Sequence, residues 1–155
     1  MEVALALVVY AQHVLHHAIP VLWRLHMVHH ADLDFDMTTG LWFHPIEITV
    51  SMAIKLSAVA VLDAPPLAVL IFEVALNATS MFNHSSLNIP EKLDRILRLI
   101  VVTPDMHRVH HSVFVRETNS NYGFNLSAWD RVFGTYWSQP KKRTYRCGNW
   151  SFTVS

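Results

Sequence analysis

The sequence predicts an all-α, membrane-associated helical bundle that closes around a histidine-rich di-metal site. Composition is the first observation: 52% of the residues are hydrophobic and 15% are charged, against about 25% charged in ordinary globular domains. The second is a row of apolar segments of helical length separated by prolines and polar turns. The third is a duplicated histidine triad. His26, His29 and His30 are spaced i, i+3, i+4, and His107, His110 and His111 repeat that spacing. On a helix, each set of three imidazoles projects from one face.

The 155 residues suit one domain, 1–155. A net charge of zero argues against a nucleic-acid partner held through phosphates. Cys147 is the single cysteine, so an intramolecular disulfide, a zinc ribbon and a CxxC redox site are excluded, and its default role is a buried bystander. The opening Met1-Glu2 carries an acid and no base, unlike a secretory leader. Eleven histidines stand out. Nine fall in three clusters, while His44 and His84 stand alone.

Taken in order, residues 1–19 read as a helix that is apolar at first and then carries His13, His16 and His17. No charge occurs from Val3 through Trp23, and the stretch looks like the inner end of a spanning helix. Pro20 punctuates it, and residues 21–31 resume a helix bearing the first triad. Residues 32–40 are turn-like. Residues 48–62 and 67–82 are two apolar helices interrupted by Lys55 and Glu73. Their lengths suit a hairpin within one leaflet, or two core helices of a soluble bundle. Residues 91–102 form an amphipathic pattern that suits a membrane surface. Pro104 opens the second triad helix, residues 119–123 form a turn cluster, and residues 141–143 (KKR) make a basic, cytosol-side patch.

Two triads in an apolar chain point to metal, because unmetallated imidazoles packed together are costly to bury. Imidazole suits zinc, copper, iron and nickel. HExxH is absent, as is the Glu-x-x-His pair of carboxylate-bridged di-iron bundles. A cluster of nine or ten histidines is too many for one ion and fits two. Spacing alone does not choose iron. Six residues beyond each triad stands a carboxylate, Asp36 or Glu117. Both are expected to orient ligand rings through hydrogen bonds, with plain surface acids as the alternative. Asp130 reads as a helix or turn cap beside Arg131, and His16 as a hydrogen-bonded core residue.

The ordered motifs HVLHH (13–17), PVLWRLHMVHH (20–30), FHP (43–45), NHS (83–85) and HRVHHS (107–112) resemble the sterol desaturase / fatty acid hydroxylase superfamily. NSNYGF (119–124) and WDRVFGTY (129–136) resemble its C-terminal signature, so the similarity covers essentially the whole chain. It implies an integral-membrane helical enzyme with a non-haem di-iron centre facing the cytoplasm. Relatives hydroxylate or desaturate lipids with O2 and externally supplied electrons. Carried over by position, the ligands would be His13, His17, His26, His29, His30, His84, His107, His110 and His111, with His44 as a tenth candidate or close neighbour. Asn88 occupies a place where some relatives carry a further histidine, Val14 one that is usually Arg, and Ala6 one that is often Asp. The expected bundle lacks the usual N-terminal membrane helices.

The implied cofactors are two Fe ions, with Zn as a possible substitute, and O2 as co-substrate. The four glycines are scattered and form no dinucleotide fingerprint. Electrons would therefore come from a ferredoxin or a cytochrome b5-like protein. The other partners are a lipid substrate (sterol, fatty acyl chain or terpenoid) and the membrane. A non-catalytic zinc-binding membrane protein of the same fold is the alternative, and a soluble zinc hydrolase a third reading.

Overall fold

The computed structural model describes residues 1–32 and 35–138. The basic run 141–143 and Cys147 lie outside the described residues. Among the described residues the fold is all-helical. Helices α1 (Glu2–Ala18), α2 (Pro20–His30), α3 (Pro45–Val61) and α4 (Pro66–Asn83) form the frame. The short helices α5 (Glu91–Leu97), α6 (Pro104–His110), α7 (Val115–Thr118) and α8 (Ala128–Val132) close one end.

The break between α1 and α2 sets the geometry. Proline disfavours helical backbone in the residue before it, and Ile19 is extended, with φ −97° and ψ 117°. Pro20 then starts α2 at a position where its missing N–H costs nothing. The two axes bend by 102°. That bend turns the His13/His17 face of α1 toward the His26/His30 face of α2.

Helix α3 starts at Pro45, earlier than the apolar run suggests, because His44 caps it: its Nδ1 accepts from Ile46 N at 3.2 Å. Helix α5 ends at Leu97, well short of the amphipathic pattern that runs to residue 102. The β-branched run Val101, Val102, Thr103 before Pro104 is a poor helix C-terminus. It goes extended instead: Val101 makes an antiparallel bridge to Leu126, and Val102 N donates to Asn125 O at 3.1 Å.

The apolar core is small. Leu5, Ala6 and Val9 of α1 pack on Phe72 of α4, flanked by Val59, Leu62, Leu76, Phe124 and Leu126. Most apolar residues of α3 and α4 face outward, including Leu56, Val61, Leu67, Leu70 and Val74. Helix α4 is 18 residues long with mean hydropathy 1.3, and 11% of it is buried. A buried core helix would show the reverse, so α4 is the helix that suggests membrane association. Within this exposed hairpin, Lys55 Nζ bonds both oxygens of Glu73 at 2.7 and 2.9 Å. The two charges that interrupt the apolar runs therefore neutralise each other. Ile96, Leu99 and Ile100 are likewise exposed, extending the apolar surface.

Candidate metal centre

Where a bundle of this size would bury leucine and valine, this one buries imidazoles. His26 is 2% exposed and His13 3%, and His29, His84, His107 and His110 are fully buried. Helices α1, α2 and α6 and the end of α4 supply them. They sort into two groups: His13, His17, His26, His30 and His110, and then His29, His84, His107 and His111. Within each group the candidate ligand atoms all lie within 4.8 Å of one another. The triads are thus split rather than kept whole. His26 and His30 join the first group and His29 the second, while His110 joins the first and His107 and His111 the second.

Ring orientation follows from the outer nitrogens. His13 Nδ1 donates to Tyr122 O at 2.7 Å, His110 Nδ1 to Ser120 O at 2.7 Å, and His84 Nδ1 to Ser80 O at 2.7 Å. His29 Nδ1 donates to Trp42 O at 3.3 Å. A carbonyl only accepts, so each of these Nδ1 atoms carries the proton and each Nε2 holds a lone pair. His26 Nδ1 meets the Glu47 carboxylate at 2.6 Å, and His17 Nδ1 meets Asn119 Oδ1 at 3.3 Å.

The inward nitrogens then face each other. Nε2 atoms of His13 and His26 are 3.1 Å apart, those of His29 and His84 3.2 Å, and those of His84 and His107 2.9 Å. At the first two pairs, where each Nδ1 carries the proton, the opposed lone pairs repel unless a cation sits between them. Two nitrogens about 2.1 Å from one ion at roughly right angles stand about 3 Å apart, which matches these separations. The Nε2 atoms of His17, His30, His110 and His111 are buried without a hydrogen-bond partner, a costly state for a polar atom. Burial, reinforced by neighbouring imidazoles, holds His107, His110 and His111 well below the ordinary histidine range. They are neutral at physiological pH, the form that ligates metal. By donor chemistry, count and orphaned atoms, the residues fit two ions.

Other residues marked in the sequence lie outside the two groups. His44 caps α3 and belongs to neither group. Asp36 is exposed, and its Oδ1 accepts from Thr38 N at 2.6 Å and Thr38 Oγ1 at 2.7 Å rather than from a histidine. Glu117 is buried on α7, just before the 119–123 loop. His16 is buried outside both groups, with Nδ1 donating to Gln12 O at 2.8 Å.

Glu47 is the carboxylate bonded to His26, and sequence spacing holds no signal for it: the two are paired by the crossing of α2 and α3. Asp130 is fully buried. Its carboxylate accepts from Tyr122 N, Gly123 N and Thr135 Oγ1 at 2.7, 3.0 and 2.7 Å, while Arg131 turns away over the Tyr136 ring. The 3-10 turn Thr39–Leu41 sets Gly40 against His84, and Phe43 stacks on His29 with ring centroids 4.3 Å apart.

A cavity of about 270 Å³ lies beside the first group, between α1, α3 and α4. Val9, Phe43, Met52, Leu76 and Phe124 give it an apolar wall, and His13 and His26 form its inner end. The site therefore joins imidazole clusters to an apolar slot under an exposed apolar hairpin.

Comparison with known proteins agrees with this arrangement. The profile of the fatty acid hydroxylase family matches residues 1–135. Ornithine lipid hydroxylase OlsE of Rhizobium tropici is 33% identical over 146 residues, covering 90% of this chain and 43% of that protein. Alkylglycerol monooxygenase of Homo sapiens is 28% identical, covering 86% of this chain and 29% of that protein. Cholesterol 25-hydroxylase of Rattus norvegicus is 28% identical, covering 91% and 47%. The chain spans less than half the length of these relatives. No solved structure matches it. With the match running across both histidine groups and the 119–123 loop, the chain belongs to the fatty acid hydroxylase family.

Proposed function

We propose that the chain is the catalytic part of a membrane-associated non-haem di-iron oxygenase that hydroxylates a C–H bond of a lipid. The observation that carries this reading is a pair of buried imidazole groups, the first of which lines an apolar cavity through His13 and His26. His13, His17, His26, His30 and His110 would hold one ion, and His29, His84, His107 and His111 the other. The metal pair, when bound, supplies redox chemistry toward O2. The balanced reaction takes R–H, O2, two electrons and two protons to R–OH and water. The names of the relatives favour hydroxylation over desaturation.

The chain's own residues bind, orient and exclude water. The carbonyls of Tyr122, Ser120, Ser80 and Trp42 keep the ligand nitrogens deprotonated and aimed inward. Val9, Phe43, Met52, Leu76 and Phe124 would hold the lipid chain with its reacting carbon near His13 and His26, so that little orientational freedom remains to be lost. The α3–α4 hairpin would rest in the membrane with the histidines on the cytoplasmic side, and lipid would enter between α3 and α4. Electrons would come from a separate carrier, a ferredoxin or cytochrome b5-like protein. Asp36 and His44 are assigned no part in the reaction, and buried Glu117 keeps its expected role of orienting a ligand ring.

The test is metal content per chain, with iron and zinc distinguished, on detergent-solubilised protein from iron-replete cells, followed by lipid products under 18O2. Two irons per chain and one labelled oxygen atom in a lipid product are expected. His110→Ala together with His111→Ala should remove at least one metal. Zinc alone, with no O2 uptake after anaerobic iron reconstitution, would overturn the oxygenase reading in favour of a zinc-binding protein.

A further inference from the structure

The anchors of the two histidine groups come from different parts of the fold. In the five-histidine group, Tyr122 O holds His13, Ser120 O holds His110 and Asn119 Oδ1 holds His17, all from one loop, residues 119–123. In the four-histidine group, Trp42 O holds His29 and Ser80 O holds His84. The loop touches none of that second pair of anchors.

The loop itself is held by a closed circuit of hydrogen bonds. Tyr122 accepts His13 Nδ1 at its carbonyl and donates its N–H to Asp130 Oδ1 at 2.7 Å. Asp130 Oδ1 also accepts from Thr135 Oγ1 at 2.7 Å. Thr135 Oγ1, its proton committed to Asp130, accepts from Tyr10 OH at 2.8 Å. Tyr10 lies one turn before His13 on α1, so the circuit returns to the helix where it began. Asn121, in the left-handed region at φ 51°, braces the loop from within. Its Nδ2 donates to Met106 O at 3.1 Å and Trp137 O at 2.9 Å. A buried network with each member satisfied holds one geometry strongly.

We infer that Asp130, Thr135 and Tyr10 are positioning residues for the five-histidine metal site alone, which makes the two sites of this centre separately adjustable. The inference rests on the reading that both groups bind metal, and it does not depend on oxygenase chemistry. Loss of an outer partner of a metal-bound histidine weakens binding about 10–100-fold. Here that loss should fall on one site.

Zinc affinity, measured by chelator competition on the detergent-solubilised chain, reads this without turnover. In a His107→Ala, His111→Ala background, which leaves the four-histidine group only two imidazoles, the five-histidine group supplies the remaining site. There, Thr135→Val and Asp130→Asn should each weaken zinc binding about tenfold or more, and Tyr10→Phe should do so to a smaller degree. In a His17→Ala, His26→Ala, His30→Ala background, which leaves the first group only two imidazoles, the four-histidine group remains, and the same substitutions should change its affinity less than twofold. Equal weakening of both sites would make the circuit merely structural and overturn the inference, as would no change at the five-histidine site. Thr135→Val and Tyr10→Phe remove single hydroxyls, so they carry the test if Asp130→Asn does not fold. Failure of the wild-type chain to bind zinc or iron at all would instead refute the metal reading itself, and this inference with it.

Discussion

Glu47 offers a measured route into the centre because it makes one short contact, 2.6 Å from Oε1 to His26 Nδ1, and is 4% exposed. Burial pushes the Glu47 carboxyl up to about 7, so at pH 8, where it is ionised, replacing it with Gln keeps shape and an acceptor but removes the charge. A hydrogen bond to a charged group contributes about 1.5–3 kcal/mol, a neutral one about 0.5–1.5 kcal/mol. The difference, roughly 1–1.5 kcal/mol, corresponds to a five- to tenfold loss of metal affinity at the five-histidine site. Glu47→Leu removes the acceptor altogether and leaves the His26 N–H buried and unsatisfied, so the loss should rise toward a hundredfold. Chelator competition with zinc, read in the His107→Ala, His111→Ala background, reports the site directly. The order wild type, then Gln, then Leu is the expected result. Equal affinity in all three proteins would show that Glu47 does not orient His26. Equal loss in Gln and Leu would show that packing of the side chain matters and its hydrogen bond does not.

Two further outcomes are expected at the other site and across the whole centre. At Gly40, an added Cβ would stand 3.2 Å from His84 Nδ1 and 3.2 Å from Ser80 Oγ. Gly40→Ala should therefore shift His84, cost about 1–3 kcal/mol of stability, and weaken zinc binding at the four-histidine site only; thermal melts and chelator competition check both. The metal-free chain should also be acid-labile. Burial holds His84 down to about 4, whereas an unfolded histidine titrates near 6.5. The unfolded chain therefore takes up this proton first as pH falls. The stabilisation is complete above about pH 6.5 and is lost as pH falls toward 4, by about 3 kcal/mol for His84 alone. His107, His110 and His111 act in the same direction. A melting temperature that stays level between pH 7 and pH 5 in chelator would contradict this.

Much of the molecule was legible in the chain itself, because helical periodicity is local. The i, i+3, i+4 spacing put each triad on one helical face, Pro20 marked a helix break and Pro104 a helix start, and the apolar runs of α3 and α4 appeared as a pair. The amphipathic pattern over 91–102 overstated α5, since a pairing with Leu126 and Asn125 competes for its last residues. The offset shared by Asp36 and Glu117 looked like a repeated carboxylate partner for the triads. In the folded chain Asp36 serves a local turn with Thr38, and a carboxylate that spacing did not mark, Glu47, bonds His26.

By itself, the sequence determined which atoms are available and which of them share a helix: imidazoles in threes, apolar faces, proline breaks. Tertiary structure alone decided how the triads divide between two sites and which outer partner orients each ring. A histidine triad on one helix presents its rings over a full turn, so when two such helices cross, neighbouring rings fall on opposite sides of the crossing. His29 thus leaves His26 and His30 for His84, and His110 leaves His107 and His111 for His13. That division depends on the 102° bend at Pro20 and on the packing of α6 against α4. Both are relations between distant segments, which no local spacing contains.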